Sequence, residues 1–143
     1  MSSLRTEIVI NASPEKIWNI LTDFENYEKW NPFIIHSSGQ PKKGTRLVNT
    51  MKNGESNMTF KPRITDVQPH KRFEWLGSLF FRGLFDGRHF FELEEVGRGK
   101  TKLTQGEYFS GILNKMVLKR IGEQTRLGFI GMNEAIKKKA EEN

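Results

Sequence analysis

Apolar positions near the end of the chain recur at helical spacing. Over residues 113–140, in steps of 100°, one face collects Leu113, Val117, Leu118, Ile121, Thr125, Gly128, Met132, Ala135 and Ile136. The opposite face collects Lys115, Lys119, Glu123, Arg126, Asn133 and Lys137. This pattern predicts an amphipathic helix, roughly 40 Å long at about 1.5 Å per residue. The stripe thins in its middle, where Thr125 and Gly128, with Gly131 at the edge, stand in place of Leu or Ile. Glycine costs a helix about 1 kcal/mol relative to alanine, so these positions ask for a reason. Either another backbone approaches closely or a space is left, and the stripe is read as leaving a space.

Residues 4–10 predict a first strand, with Ile8, Val9 and Ile10 prone to it. Ser13-Pro14-Glu15-Lys16 reads as a helix start. Ser13 suits the cap and Pro14 the first helical position, although Lys16 stands where a capping box carries Glu. Ile17, Trp18, Ile20 and Leu21 follow; Thr22-Asp23 restarts the helix, and Phe24, Tyr27 and Trp30 come at spacings of three. Asn31-Pro32 ends it, because the residue before proline is pushed out of the α region. The period then falls to two. Strands are expected over 45–51, 57–67, 72–77, 87–96 and 101–109, with Asn53-Gly54 as a hairpin turn and Pro62 as an edge or bulge. One strand, two short helices, five strands and a long helix make an α+β protein, an antiparallel sheet crossed by a helix. No repeat, low-complexity run or linker interrupts the order, so residues 1–143 are expected to form one domain.

Composition narrows the class. With 36% hydrophobic and 28% charged residues the chain reads as a globular domain. Without cysteine it has neither disulfide nor thiol chemistry, and a cytoplasmic location is the default. No signal segment or apolar run long enough to span a bilayer is seen, so no integral membrane association is expected. The net charge of +6 is spread along the chain among acidic residues, and Lys137, Lys138 and Lys139 are followed at once by Glu141 and Glu142. It reads as solvation rather than a partner surface.

Several segments, taken together, resemble a known superfamily. They are Asn11-Ala12-Ser13-Pro14-Glu15-Lys16-Ile17-Trp18, Leu21-Thr22-Asp23-Phe24 and Tyr27-Glu28-Lys29-Trp30-Asn31-Pro32. This opening resembles that of the START-related, birch-pollen-allergen-like superfamily (SRPBCC). Gly83-Leu84-Phe85-Asp86-Gly87, Leu103-Thr104-Gln105-Gly106-Glu107, Phe109-Ser110-Gly111 and Phe129-Ile130-Gly131-Met132-Asn133-Glu134-Ala135-Ile136 look like its polyketide cyclase/dehydrase branch. The resemblance implies a helix-grip fold: a curved antiparallel sheet of about six to seven strands around the C-terminal helix, two small helices at one end, and an apolar cavity between. Members include lipid and sterol carriers, hormone receptors, aromatase/cyclases and chaperone activators. The superfamily shares no catalytic signature, so it implies no activity.

Strand alternation gives the inward face. His89, Phe91 and Leu93 should point inward, with Arg88, Phe90, Glu92 and Glu94 outward. Leu103, Gln105, Glu107 and Phe109 should point inward, as should Phe73 and Trp75, with Glu74 outward. Met58, Phe60 and Ile64 line the strand before them, and Trp30, Phe33 and residues 79–85 form the rim. The expected ligand-binding set is therefore Trp30, Phe33, Met58, Phe60, Phe73, Trp75, His89, Phe91, Gln105, Glu107, Thr125, Gly128 and Met132. Glu107 with His89 is the candidate acid–base pair, since an aromatic wall disfavours the carboxylate and a neighbouring imidazole can shuttle its proton. Against that stands the plainer reading, in which both are satisfied polar groups.

Other chemistry is unsupported. His36, His70 and His89 lack ligand spacing, so neither metal nor cofactor is expected. Gly97-Arg98-Gly99-Lys100 is a hairpin turn rather than a phosphate cradle. The aromatic residues are assigned inward, which argues against nucleic acid. Leu79-Phe80-Phe81 is either a core edge or an exposed lip for an entering ligand. The leading expectation is binding of a small hydrophobic molecule: a lipid, a polyketide or a related aromatic metabolite. A polyketide cyclase or dehydratase using Glu107 and His89 is the second. An interaction protein similar to the chaperone activators, with a protein partner on the basic helix face, is the third.

Overall fold

The computed structural model describes residues 2–79 and 81–142, without the side chains of Asn53 and Leu79. Along the chain lie β1 (Ser2–Ile10), α1 (Pro14–Thr22), one 3-10 turn (Phe24–Asn26), α2 (Tyr27–Trp30), β2 (Ile34–Ser38), β3 (Val48–Asn53), β4 (Ser56–Phe60), β5 (Arg63–Gln68), β6 (Arg72–Leu79), β7 (Phe85–Gly97), β8 (Lys100–Ser110) and α3 (Asn114–Glu141). Two antiparallel sheets run β1-β8-β7-β6-β5 and β2-β3-β4, and α3 packs against strands of both. This is the helix-grip arrangement.

Among the described residues there are eight strands where the sequence pattern yields six. The stretch read as one strand over 57–67 is two, β4 and β5, in different sheets. Pro62 separates them: it has no N–H for a ladder, while its carbonyl accepts from Leu47 N–H at 2.9 Å. The other addition, Ile34–Ser38, has five residues and a bulge, too little to show a period of two.

The entry helices form as their sequence dictates. The Ser13 hydroxyl accepts from Lys16 N–H at 3.2 Å and Pro14 opens α1. Ile17, Trp18 and Leu21 are buried. Tyr27 is 1% exposed and its hydroxyl donates to the Leu21 carbonyl, locking α2 onto α1. Burial, reinforced by Asp23, pushes the Tyr27 phenol well above its ordinary range. A phenol whose folded value is raised contributes stability that is complete below its unfolded value and lost as pH rises past it. Alkaline loss of stability should therefore set in above pH about 10. Tyr27→Phe should flatten that alkaline limb while costing about 1–2 kcal/mol near neutrality, as urea titrations across pH will read. An unchanged alkaline limb would remove the effect from Tyr27.

The helix α3 is held unevenly. Its buried residues are Phe129, Met132, Asn133, Ile136 and Ala140, all in the second half. In the first half Val117, Leu118, Ile121 and Thr125 are only half-buried, and Met116 is exposed. The C-terminal turns are clamped to the sheet and to α1, and Glu141 accepts from Asn11 N–H at 2.7 Å. The N-terminal turns stand off the sheet, and the space beneath them is where the site lies. Among the described residues no helix is long and apolar enough to cross a membrane.

Candidate functional site

Alternation along β7 and β8 builds the floor. Gly87, His89, Phe91 and Leu93 face inward on β7, and Leu103, Gln105, Glu107 and Phe109 on β8. The register sets His89 opposite Glu107 and Phe91 opposite Gln105. On the other side of β7, Trp75 is opposite His89 and stacks on it, ring centroids 4.8 Å apart. Phe73, Trp18 and Phe24 continue the aromatic packing toward α1, edge to face. That end of the interior is full.

The other end is not. A cavity of about 80 Å³ lies between the sheet and the first half of α3. Trp75 and Gly77 of β6, Phe85 and Gly87 of β7, and Glu107 and Phe109 of β8 form its floor. Ile121 and Thr125 of α3 roof it. Phe33, with Met51, Met58 and Phe60 of the β3–β4 hairpin and Pro62, closes the side, and Lys52 and Ser78 stand at its rim. No residue of β4 is buried, so that wall is held by few contacts. Thioether side chains adapt readily to irregular shapes, so a wall with two of them can yield to an occupant larger than the resting space. A wider depression, about 340 Å³, lies on the outer sheet face among Arg5, Arg72, Lys102, Glu92 and Glu94. Its mixed charges are those of a solvated face.

The polar residues meet the cavity at one point. Glu107 is on its wall, and Gly87 makes room for it: a Cβ at position 87 would stand 1.9 Å from Glu107 Oε2. Glu107 Oε1 lies 3.1 Å from His89 Nδ1. His89 is fully buried, so Glu107 separates it from the cavity. His89 Nε2 is 2.9 Å from Gln105 Oε1, and Gln105 Nε2 donates to Asn133 Oδ1 at 2.7 Å. Asn133 Nδ2 donates to the Thr6 hydroxyl at 2.8 Å, and that hydroxyl donates to the Gln105 carbonyl at 2.9 Å.

Of the residues expected to bind a ligand, the structure brings Phe33, Met58, Phe60, Trp75, Glu107 and Thr125 to the cavity wall. Others stand elsewhere. Phe73, Phe91 and Met132 fill the packed end, and Gln105 sits behind His89. Trp30 packs edge to face on Tyr27, ring centroids 5.2 Å apart. The reading of Gly128 as empty space is corrected. A Cβ there would meet Phe33 Cδ1 at 2.3 Å, so the missing side chain is replaced by an aromatic ring. Asn31 aims that ring: its side chain accepts from the N–H groups of Phe33 and Ile34, both at 2.9 Å, a local turn after the helix stop.

One assignment of face changes, and two residues on the expected face are buried there. Asn133, placed outward by its polarity, is 2% exposed, because Gln105 and Thr6 supply partners for it. Phe90, placed outward by alternation, does lie on the outer face but is 2% exposed. It stacks on Tyr108, lies under the Arg72 guanidinium and fits over Gly106, where a Cβ would meet it at 2.6 Å. Glu74 is likewise on the outer face and buried, held by Arg72 at 2.8 Å and Thr65 at 2.7 Å. Of the rim run, Phe80 lies outside the described residues, as does the side chain of Leu79, and Phe81 is 64% exposed. Phe85 and Gly87 were legible as a continuation of the β7 alternation. Phe129 was legible too, three residues before Met132 and seven before Ile136.

Comparison with known proteins now has a geometry to meet. The sequence model of the family described as "Polyketide cyclase / dehydrase and lipid transport" matches residues 1–129. The chain is similar in structure to the Zhui aromatase/cyclase of Streptomyces sp. R1128, with TM-score 0.80 and 13% identity over 98% of this chain and 93% of that one. A START superfamily protein of Mycobacterium smegmatis superposes with TM-score 0.74 and 17% identity, over 97% of each chain. The protein Ara h 8.0201 gives TM-score 0.76 and 16% identity over 99% of each. No curated protein matches the sequence. At such identities the likeness concerns the fold.

Proposed function

The chain belongs to the polyketide cyclase/dehydrase and lipid transport family, and on that premise we propose that it binds a small, largely apolar molecule in the cavity beneath the first half of α3. One observation carries the proposal: an aromatic and aliphatic hollow of about 80 Å³ with a single carboxyl on its wall, roofed by the half of the helix whose apolar side chains are half-buried at most. Removing apolar surface from water contributes about 25 cal/mol per Å², and one polar group in an apolar wall fixes orientation. The hollow holds a few carbon atoms at rest; a six-membered ring occupies an engineered cavity of about 150 Å³. Binding therefore includes a shift of the Met51 and Met58 side chains or of the first turns of α3.

Thr125→Trp tests this. The indole should take the occupant's place, weakening binding of benzene and phenol, followed by ligand-observed NMR, by more than tenfold with the Tm nearly unchanged. Equal binding in Thr125→Trp would place the occupant elsewhere.

A proton-transfer enzyme is the second reading, favoured by the His89–Glu107 contact of 3.1 Å at the wall. A cyclase or dehydratase of this kind should give a bell-shaped pH–rate profile on a poly-β-keto substrate. Full turnover in Glu107→Gln would remove Glu107 from the chemistry.

A further inference from the structure

The hydrogen bonds behind Glu107 have a direction, and it fixes what the cavity can recognise. A carbonyl only accepts, so the single Thr6 proton is used on the Gln105 carbonyl. The Thr6 oxygen must then accept, so Asn133 turns its NH₂ toward Thr6 and its oxygen toward Gln105. Gln105 must donate to that oxygen, and its NH₂ also points at the Phe129 carbonyl, 3.4 Å away. Gln105 Oε1 is left to face His89 Nε2, which is therefore an N–H donor. Each amide orientation follows from the one before it, starting from a carbonyl that has no alternative.

The consequence falls on the last contact. His89 Nδ1 faces Glu107 Oε1 at 3.1 Å, and His89 is 0% exposed. A bare Nδ1 against a bare carboxylate sets two lone pairs together, so a hydrogen bond forms only with one further proton between them. Whether that proton rests on nitrogen or on oxygen, it lies on the side away from the cavity. In both forms Glu107 Oε2 is an acceptor with no proton of its own. Among the described residues none donates to it, and it hangs over Gly87 at the cavity wall.

We infer that the site selects a hydrogen-bond donor: its ligand is a small apolar molecule carrying a hydroxyl (an alcohol, phenol or enol) that donates to Glu107 Oε2. This rests on the cavity-binding proposal above and names its ligand class. An ether or ketone of the same shape brings a lone pair to a lone pair and leaves Oε2 desolvated and unpaired, the arrangement that discriminates most strongly between close analogues. Thr6, Asn133 and Gln105 are positioning residues.

Glu107→Gln makes the direction visible. With His89 protonated at Nε2, the new amide should donate to Nδ1 and turn its oxygen to the cavity, so the donor preference survives. Were the chain reversed, the amide NH₂ would face the cavity and the preference would invert. The experiment measures binding of phenol, anisole and benzene to wild type, Glu107→Gln and Glu107→Leu, with ¹⁵N NMR of the buried histidine. The expected result is phenol over anisole by about tenfold in wild type and Glu107→Gln, near equality in Glu107→Leu, and a proton on His89 Nε2. Anisole bound as tightly as phenol by wild type, or a bare Nε2 with the proton on Nδ1, would overturn the donor rule. Benzene bound as well as phenol leaves the cavity reading standing and removes the ligand class. No binding of any of the three removes both.

Discussion

Phe129→Ala is expected to cost about 3–5 kcal/mol, the range for emptying a buried phenylalanine site, and to lower the Tm by roughly 10–15 °C. Phe129 is 0% exposed and stands where the clamped half of α3 begins. Its ring meets His89 edge to face at 4.8 Å and Phe33 at 5.6 Å. The loss therefore reaches three elements: the helix, the β7–β8 floor and the loop that carries Phe33. The first half of α3 holds no fully buried side chain, so on the N-terminal side of Phe129 the helix has no second buried anchor to take up the loss. Leu127→Ala is the control. Leu127 is 48% exposed two residues away, and its truncation should change stability by no more than about 0.5 kcal/mol. A Phe129→Ala variant within 1 kcal/mol of wild type in urea unfolding would mean that the helix is held by other contacts.

The second large effect is expected at Gly128. Any side chain there meets Phe33 Cδ1 and Cε1 at 2.3 and 2.5 Å. Phe33 cannot retreat easily: the Asn31 side chain holds its N–H, its carbonyl accepts from Lys52 N–H at 2.8 Å, and Phe129 backs its ring. The open direction is the cavity that Phe33 itself lines. Gly128→Leu should therefore destabilise by about 2–3 kcal/mol, overpacking outweighing the gain of under 1 kcal/mol in helix propensity. It should also weaken binding of benzene and phenol by pushing the ring into their space. Phe33→Ala in the same chain should relieve much of the cost, because the two positions are in contact and their effects do not add. Unchanged stability in Gly128→Leu with binding abolished would show that position 128 is a true void.

Gly128 also shows where local pattern stops. Its absence of side chain was plain along the helix stripe, and reading that absence as a void was wrong, because Phe33 fills the place. Nothing near residue 128 in the chain identifies the neighbour, which comes from the loop after α2. Asn133 fails in the same manner. A wheel places a polar side chain outward because it cannot see Thr6 on β1 or Gln105 on β8 waiting for it. Glu107 and His89 were legible as an inward pair, since alternation along β7 and β8 is local and both strands are long. Their distance and the direction of the bonds behind them were not.

By itself, then, the sequence determined the parts and their faces: a capped entry helix, a stop at Asn31-Pro32, strands with His89 and Glu107 turned inward, and a long terminal helix. Steric and hydrophobic preferences act over a few residues, so they are written in neighbouring letters. The tertiary structure alone decided that Phe33 covers Gly128, that Asn133 joins the buried chain, and that the hollow lies under Thr125 and Ile121 but not under Gly128. Those outcomes depend on which distant side chains compete for the same volume and the same lone pairs, and that competition exists only once the sheet has closed on the helix.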